Sequence, residues 1–327
     1  MKDSDFLFLT SMLRAREVGM ISGDKIDRML DAPGFDGAAK LLMDSGYPDM
    51  SEMSLDQIDR VLEERRFEMF SEIHNFRYAQ DVLDLFRLKY DYHNVKVLVK
   101  SSGANVDAAY LLSSAGRIGT KTLSEAFITE QHADLPPNVA AAMSSAMGIL
   151  SRTGNPQLAD IEVDKAYFNE LTSLAEWLKE EFITGYIKLM IDSANIRIIV
   201  RSARTGRGKD FLLGVLIPGG SVNIEQIASS YEESGQLPFA GDALEQAVRL
   251  GGDAMKGGAQ TLFELACDNA VLQYVTNTTF ISFGPAPVIS FLAKFEWEIT
   301  VVRMILTGKY TDISPDVIRE RLRECHV

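Results

Sequence analysis

One stretch of this chain is written twice. Asp91-Tyr92-His93-Asn94-Val95-Lys96-Val97-Leu98-Val99-Lys100-Ser101 returns as Asp192-Ser193-Ala194-Asn195-Ile196-Arg197-Ile198-Ile199-Val200-Arg201-Ser202. Nine of the eleven positions are identical or exchange like for like. Without a gap, the same offset aligns Leu111 and Leu112 with Leu212 and Leu213, and Leu123 with Ile224. A weaker third copy runs from Glu298 to Gly308. It keeps an acid (Glu298), a cation (Arg303) and the apolar core, and has Val301 where the others have Asn. Recurrence at this period implies one structural unit used three times, as a quasi-threefold body or a solenoid.

The unit is helical. Leu55, Ile58 and Leu62 recur at helical spacing, as do Leu171, Leu174, Ala175 and Leu178, and no alternating strand of useful length appears. Ser54 before Gln57 and Thr122 before Glu125 have capping-box spacing, and Asn223 stands likewise before Gln226. Ser314-Pro315-Asp316 combines a cap, a proline at the first helical position and an early acid. Each copy is followed by a loop and a capped helix, around Ser124–Phe127, Ile224–Ile227 and Val317–Glu320. Ile26–Met29 reads as another such helix displaced to the chain start. The expected fold class is therefore all-α: three similar helical bundles spanning 1–115, 116–217 and 218–327.

On such a helix, residues three and four apart share a face. Asp91 and Asn94 then lie with Val95 and Leu98 on one side, Lys96 and Lys100 on another, and the second copy places Asp192 and Asn195 against Arg197 and Arg201 in the same way. Two roles are open. The acid and amide can face the bundle and bond neighbouring backbone or Arg while the cations pair with acids on adjacent helices. Alternatively Lys100, Arg201 and their neighbours face an acidic partner.

Nothing in the sequence assembles into catalytic chemistry. His74, His93, His132 and His326 have no metal-ligand spacing to each other or to Cys267 and Cys325. Two isolated thiols fit inert cysteines in a reducing compartment. Arg204–Lys209 resembles a phosphate loop only superficially: Ala203 takes the first Gly position, Asp210 follows Lys209, and no strand precedes it. No catalytic, cofactor-binding or metal residue is expected. A net charge of −13 excludes nucleic acid as a partner. The apolar patch Phe6–Leu9 is too short for a signal peptide. The uncharged run Asn269–Ala293 is broken by Gly284-Pro285-Ala286-Pro287, which makes it two helices around a turn rather than a membrane span.

Four stretches, taken in order, resemble a known family. They are Leu13-Arg14-Ala15-Arg16; Tyr90–Lys96; Ile161–Phe168 with Ile191–Arg197; and Phe283-Gly284-Pro285-Ala286-Pro287 leading to Glu298 and Arg303. The chain is similar over essentially its whole length to the C, or d, subunits of V/A-type ATPases. Val301 departs from the Asn usual in the third unit. The resemblance implies a funnel of three helical domains around a pseudo-threefold axis. It implies a non-catalytic rotor part, peripheral at the cytoplasmic face of the membrane, with central-stalk subunits on one side and a ring of membrane proteolipid subunits on the other, serving H⁺ or Na⁺ transport. The competing readings are a helical-repeat scaffold for other proteins and a helical enzyme with an unrecognised site.

Overall fold

The computed structural model describes residues 3–322 apart from 105, 107 and 282; Cys325 and His326 lie outside the described residues. Among the described residues there is no strand. The N-terminal third contains α1 (Leu7–Glu17), α2 (Gly23–Asp31), α3 (Phe35–Lys40), α4 (Leu55–His74) and α5 (Gln80–Ala104). The middle contains α6 (Thr120–Thr129), α7 (Pro137–Thr153), α8 (Pro156–Leu178), α9 (Glu181–Arg204) and α10 (Lys209–Val215). The last third contains α11 (Ile224–Ser234), α12 (Glu245–Met255), α13 (Gln260–Thr276), α14 (Ala286–Tyr310) and α15 (Pro315–Arg319). Among the described residues no helix is long and apolar enough to cross a membrane.

The start signals in the sequence act at the atomic level. Ser54 and Gln57 form both halves of a capping box on α4. Asn223 caps α11 by accepting from the Glu225 amide. Thr122 does not cap: α6 begins at Thr120 with Gly119 at its N-cap, earlier than the spacing implied. The reason lies outside the helix. Residues 117 and 118 are held by Asp91, and this sets where the following turn begins.

The three copies of the repeated text lie on the three long helices α5, α9 and α14. Two apolar cores form around them. The larger unites Leu9 and Leu13 of α1, Ile58 and Leu62 of α4, the buried faces of α5 and α8, and Ile299, Val302 and Ile305 of α14. The smaller joins Ile196, Ile199 and Val200 of α9 to Leu212, Ile227 and Phe263. Helix α9 serves both, because its first half, with Ile183 and Ile187, belongs to the larger core. Helix α14 is buried around almost its whole circumference from Ala286 to Val302, and its burial includes Lys294, Glu296 and Glu298.

Such charges are tolerated only when paired and hydrogen-bonded. Glu296 accepts from Lys89 (2.8 Å) and Tyr90 (2.6 Å) on α5 and from Arg66 (3.1 Å) on α4, while Lys294 reaches Glu17 of α1 at 3.4 Å. One carboxylate thus joins three helices. Burial alone would raise the Glu296 carboxyl, but the adjacent charges of Lys89 and Arg66 outweigh it and hold the group below its ordinary 4.5. Below pH 4.5 the unfolded chain therefore binds a proton here that the folded chain does not. Stability from this group is present above 4.5 and is lost as pH falls toward the lower folded value. Glu296→Gln, which strands two cations, is expected to cost about 3–5 kcal/mol at neutral pH. It should also flatten the acid limb of stability, as measured by urea unfolding from about pH 7 to about pH 3.

Candidate functional site

Each of α5, α9 and α14 grips a loop through the acid of the repeated text, and in the first two copies through its amide as well. Asp91 is fully buried and accepts from the backbone amides of Arg117 (2.8 Å) and Ile118 (3.0 Å) and from Arg117 Nε (2.7 Å). Asn94 closes a two-way bond with Ser113: its amide nitrogen donates to the Ser113 carbonyl and its oxygen accepts from the Ser113 amide, both at 2.8 Å. The second copy repeats this. Asn195 exchanges the same two bonds with Ile217 at 2.8 and 2.9 Å, and Asp192 accepts from the Ser221 amide and hydroxyl. Burial raises the carboxyls of Asp91 and Asp192 above their ordinary range, more than the donors around them pull down.

The third grip closes on the other end of the chain. Glu298 accepts from the backbone amide of Ile21 (2.8 Å) and from Tyr47 Oη (2.7 Å), with Arg65 at 3.4 Å. Burial and the nearby Glu298 charge push the Tyr47 phenol well up, so it stays a donor. In each copy the held loop leads into a short helix: α6 after Ile118, α11 after Ser221, α2 after Ile21. The third loop is thus the N-terminal one, and α15 packs on α2 beside it, with Arg319 3.1 Å from Asp27. Val301 offers no amide, and Tyr47 and Arg65 take the remaining lone pairs of Glu298.

The cations of the repeat turn away from the grips and onto neighbouring helices. Lys96 and Lys100 meet Asp164 (2.5 Å) and Asp160 (2.6 Å) of α8. Arg197 bonds Glu264 (2.5 Å) and Asp268 (2.6 Å) of α13, and Arg201 reaches Glu264 at 3.2 Å. Arg303 meets Asp59 of α4 at 2.7 Å. Lys100 and Arg201 remain about half exposed, which limits each pair to at most about 1 kcal/mol.

Two features escaped the sequence reading. The first is Glu296 and its donors. Its signal was present, since Lys89, Met190 and Glu296 all stand two places ahead of the marker acid and change from cation to apolar to anion across the copies. These three positions line one cavity of about 290 Å³, together with Trp297 and Arg197. The second is a pair of glycines in the held loops. A Cβ on Gly116 would lie 2.4 Å from Asp91 Oδ1, and one on Gly220 would lie 2.1 Å from Asp192 Oδ1. The loops approach too closely for any side chain there.

Among the described residues no group of His, Cys, Asp and Glu could hold a metal ion. Burial pushes the Cys267 thiol up to about 11, which leaves it unreactive. The polar groups of the repeat are spent on this chain's own backbone and neighbouring helices, so fold and site define an all-helical repeat protein with structural rather than catalytic polar groups.

The sequence profile of the ATP synthase (C/AC39) subunit family matches residues 9–321, and the chain belongs to that family, whose members are non-catalytic parts of V/A-type ATPase complexes. The C subunit of the V-type sodium ATPase of Enterococcus hirae is 23% identical over 97% of this chain and 98% of its own length. The C subunit of the A-type ATP synthase of Methanocaldococcus jannaschii is 21% identical over 97% of this chain and 86% of its own. The C subunit of the V-type ATP synthase of Deinococcus radiodurans is 23% identical over 98% of this chain and 91% of its own. The resemblance carried by Leu13 to Arg303 is borne out.

Gly220→Ala should force the loop off Asp192 and destabilise the fold by about 1–3 kcal/mol, as should Asn195→Ala, which leaves two backbone groups at Ile217 unpaired. Gly214→Ala has open space around its Cβ within α10. It should be neutral or stabilising by up to about 1 kcal/mol. Thermal melts of the three variants check the contrast.

Proposed function

We propose that this chain is the rotor spacer of a V/A-type ATPase. It connects the central stalk of the soluble motor to the membrane proteolipid ring at the cytoplasmic face, for ATP-linked H⁺ or Na⁺ transport. Its body is three helical units on the spans 1–115, 116–217 and 218–327 around a pseudo-threefold axis, with Ile21 and α2 of the first span completing the third. The signature Asp91, Asn94, Lys96, Asp192, Asn195, Arg197, Glu298 and Arg303 builds the units.

The observation that carries this reading is the convergence of one repeat register on one place. Lys89, Met190 and Glu296 hold the same position in three copies and line the same cavity. Helices that meet this way surround an axis, and a part on the axis of a rotating assembly has to surround one. The names of the relatives support the complex, and the saturation of polar groups supports a mechanical role over a chemical one. A helical-repeat scaffold for unrelated partners draws no support from the family.

The test is deletion. Membranes lacking this chain should release a soluble head that still hydrolyses ATP, while ATP-driven ion uptake into vesicles falls to background. Coupled uptake without the chain overturns the proposal. Pulldown of a tagged chain from gently solubilised membranes should bring stalk and ring subunits together; recovery of neither favours the scaffold.

A further inference from the structure

One side of the molecule is packed tightly at its foot and loosely above it. Helices α9 and α13 both pass from the larger core, with Ile183 and Val275, into the smaller one, with Ile199 and Phe263. With α10, α11 and α12 they form a lobe around the smaller core.

The foot of the lobe is tight. Tyr274 of α13 stacks on Phe182 of α9 at 5.2 Å and donates to its carbonyl at 3.2 Å. Tyr186, one turn further along α9, stacks on Tyr274 and on Phe86 of α5, each at 6.5 Å. A Cβ on Gly185 would lie 2.2 Å from Tyr274 Oη, so the two helices meet here without spare room.

Above the foot the lobe holds to itself. Arg197 pairs with Glu264 and Asp268, and Ser193 Oγ donates to the Cys267 carbonyl at 3.2 Å, which makes α9 and α13 one arm. Asn195 and Asp192 tie the loop between α10 and α11 to that arm. Tyr231, late in α11, donates to the Arg207 carbonyl at 3.3 Å, so α11 ends beside the tip of α9.

The seam between the lobe and the rest of the body has space in it. A cavity of 290 Å³ lies between the α9–α13 arm and helices α5, α8 and α14, and a second of 320 Å³ lies between α8 and the α9–α10 pair. Phe168, Ala194 and Arg197 line both, so the two cavities flank one contact of α8 with α9. Close-packed interfaces resist sliding, and a contact with space on both sides resists it far less. Lys165 of α8 clasps the seam by donating to the Gly214 carbonyl of α10. Helix α14, by contrast, is joined to α4 and α5 through the buried Glu296.

We infer that this lobe is a lever. It pivots on the Phe182–Tyr186–Tyr274 stack and slides along α8, with the two cavities as its travel and Lys165 as its clasp. Ala194 lies about halfway from the pivot to the end of α9. A helix slide of about 1–2 Å at the seam therefore grows to about 2–4 Å at the tip. The second unit changes its distance from the first and third, while Glu296 keeps those two fixed to each other. The motion belongs to the chain by itself and stands whether or not the spacer reading does.

The test is a distance measurement by pulsed electron spin resonance on the full chain with Cys325→Ser, in which the buried Cys267 stays unlabelled. Spin labels at Ser151→Cys and Glu233→Cys span the seam at the tip, and labels at Ser173→Cys and Gln273→Cys span it at the foot; all four positions are exposed. The tip pair should give a distribution broader than the foot pair by about 2–4 Å. Ala194→Leu, which fills the seam, should narrow the tip distribution toward that of the foot. Lys165→Met, which opens the clasp and keeps the packing, should broaden it further, and it carries the test alone should the leucine unfold the chain. Equal widths at tip and foot in the otherwise unaltered chain overturn the inference, and so does a tip width that Lys165→Met leaves unchanged.

Discussion

A carboxylate buried halfway along a helix, holding the backbone amides of the loop that follows, is the interaction on which this architecture depends. A charged group at such depth would be expelled if it had no donors, and donors supplied by side chains would have to be kept in each copy. Backbone amides come with every residue except proline. The loop at 113–118 and the loop at 217–221 share almost no side-chain identity, yet Asp91 and Asp192 hold them in the same way, and Asn94 and Asn195 add the same two-way bond. What has to be kept is closeness, which explains Gly116 and Gly220. Both carboxyls sit above their ordinary range, so the grip is costly in solvation and contributes direction more than net stability.

The third grip shows how far the scheme stretches. Glu298 is one methylene longer than Asp, and it closes on Ile21, 277 positions earlier in the chain. The same carboxylate also accepts from Tyr47 and Arg65, which come from the same N-terminal region. The two ends of the chain are thereby tied into one core around α14. Lys294, Glu296 and Glu298, buried within α14, depend on α1, α4 and α5 and on the N-terminal region for their partners. Contacts of such sequence separation are slow to form, and the local cap signals on α4 and α11 help by fixing helices early.

The helices, the caps at Ser54 and Asn223 and the repeated text could be read directly, because helical periodicity, cap chemistry and recurrence are local properties of sequence. The partners of the marked residues were only partly legible. That Asp91 and Asn94 would share a face follows from spacing, but that their partners would be backbone amides 19 to 27 residues onward does not, since a backbone amide has no letter in the sequence. The third unit had the same difficulty: the sequence assigns it Val317–Glu320 as the following helix and reads Ile26–Met29 as a displaced extra, whereas the loop that Glu298 holds leads into Ile26–Met29. Both have suitable text, and only the bond from Ile21 to Glu298 decides it. Glu296 was hidden for another reason. Its register mates are a cation and a methionine, so like-for-like comparison discards the position where the charge network sits.

Charge placement in the three copies separates two tasks. Toward the middle of these helices, the position two before the acid faces the common cavity and differs in each copy, so the cavity is lined by unlike groups at Lys89, Met190 and Glu296. Further along, the cations at the equivalent position are alike, as Lys96, Arg197 and Arg303 each meet an acid on a neighbouring helix. These shared ion pairs make the surroundings of α5, α9 and α14 locally similar. Unlike contacts on the inside make them distinguishable, since the Lys89–Glu296 pair draws α5 to α14 and has no counterpart at Met190.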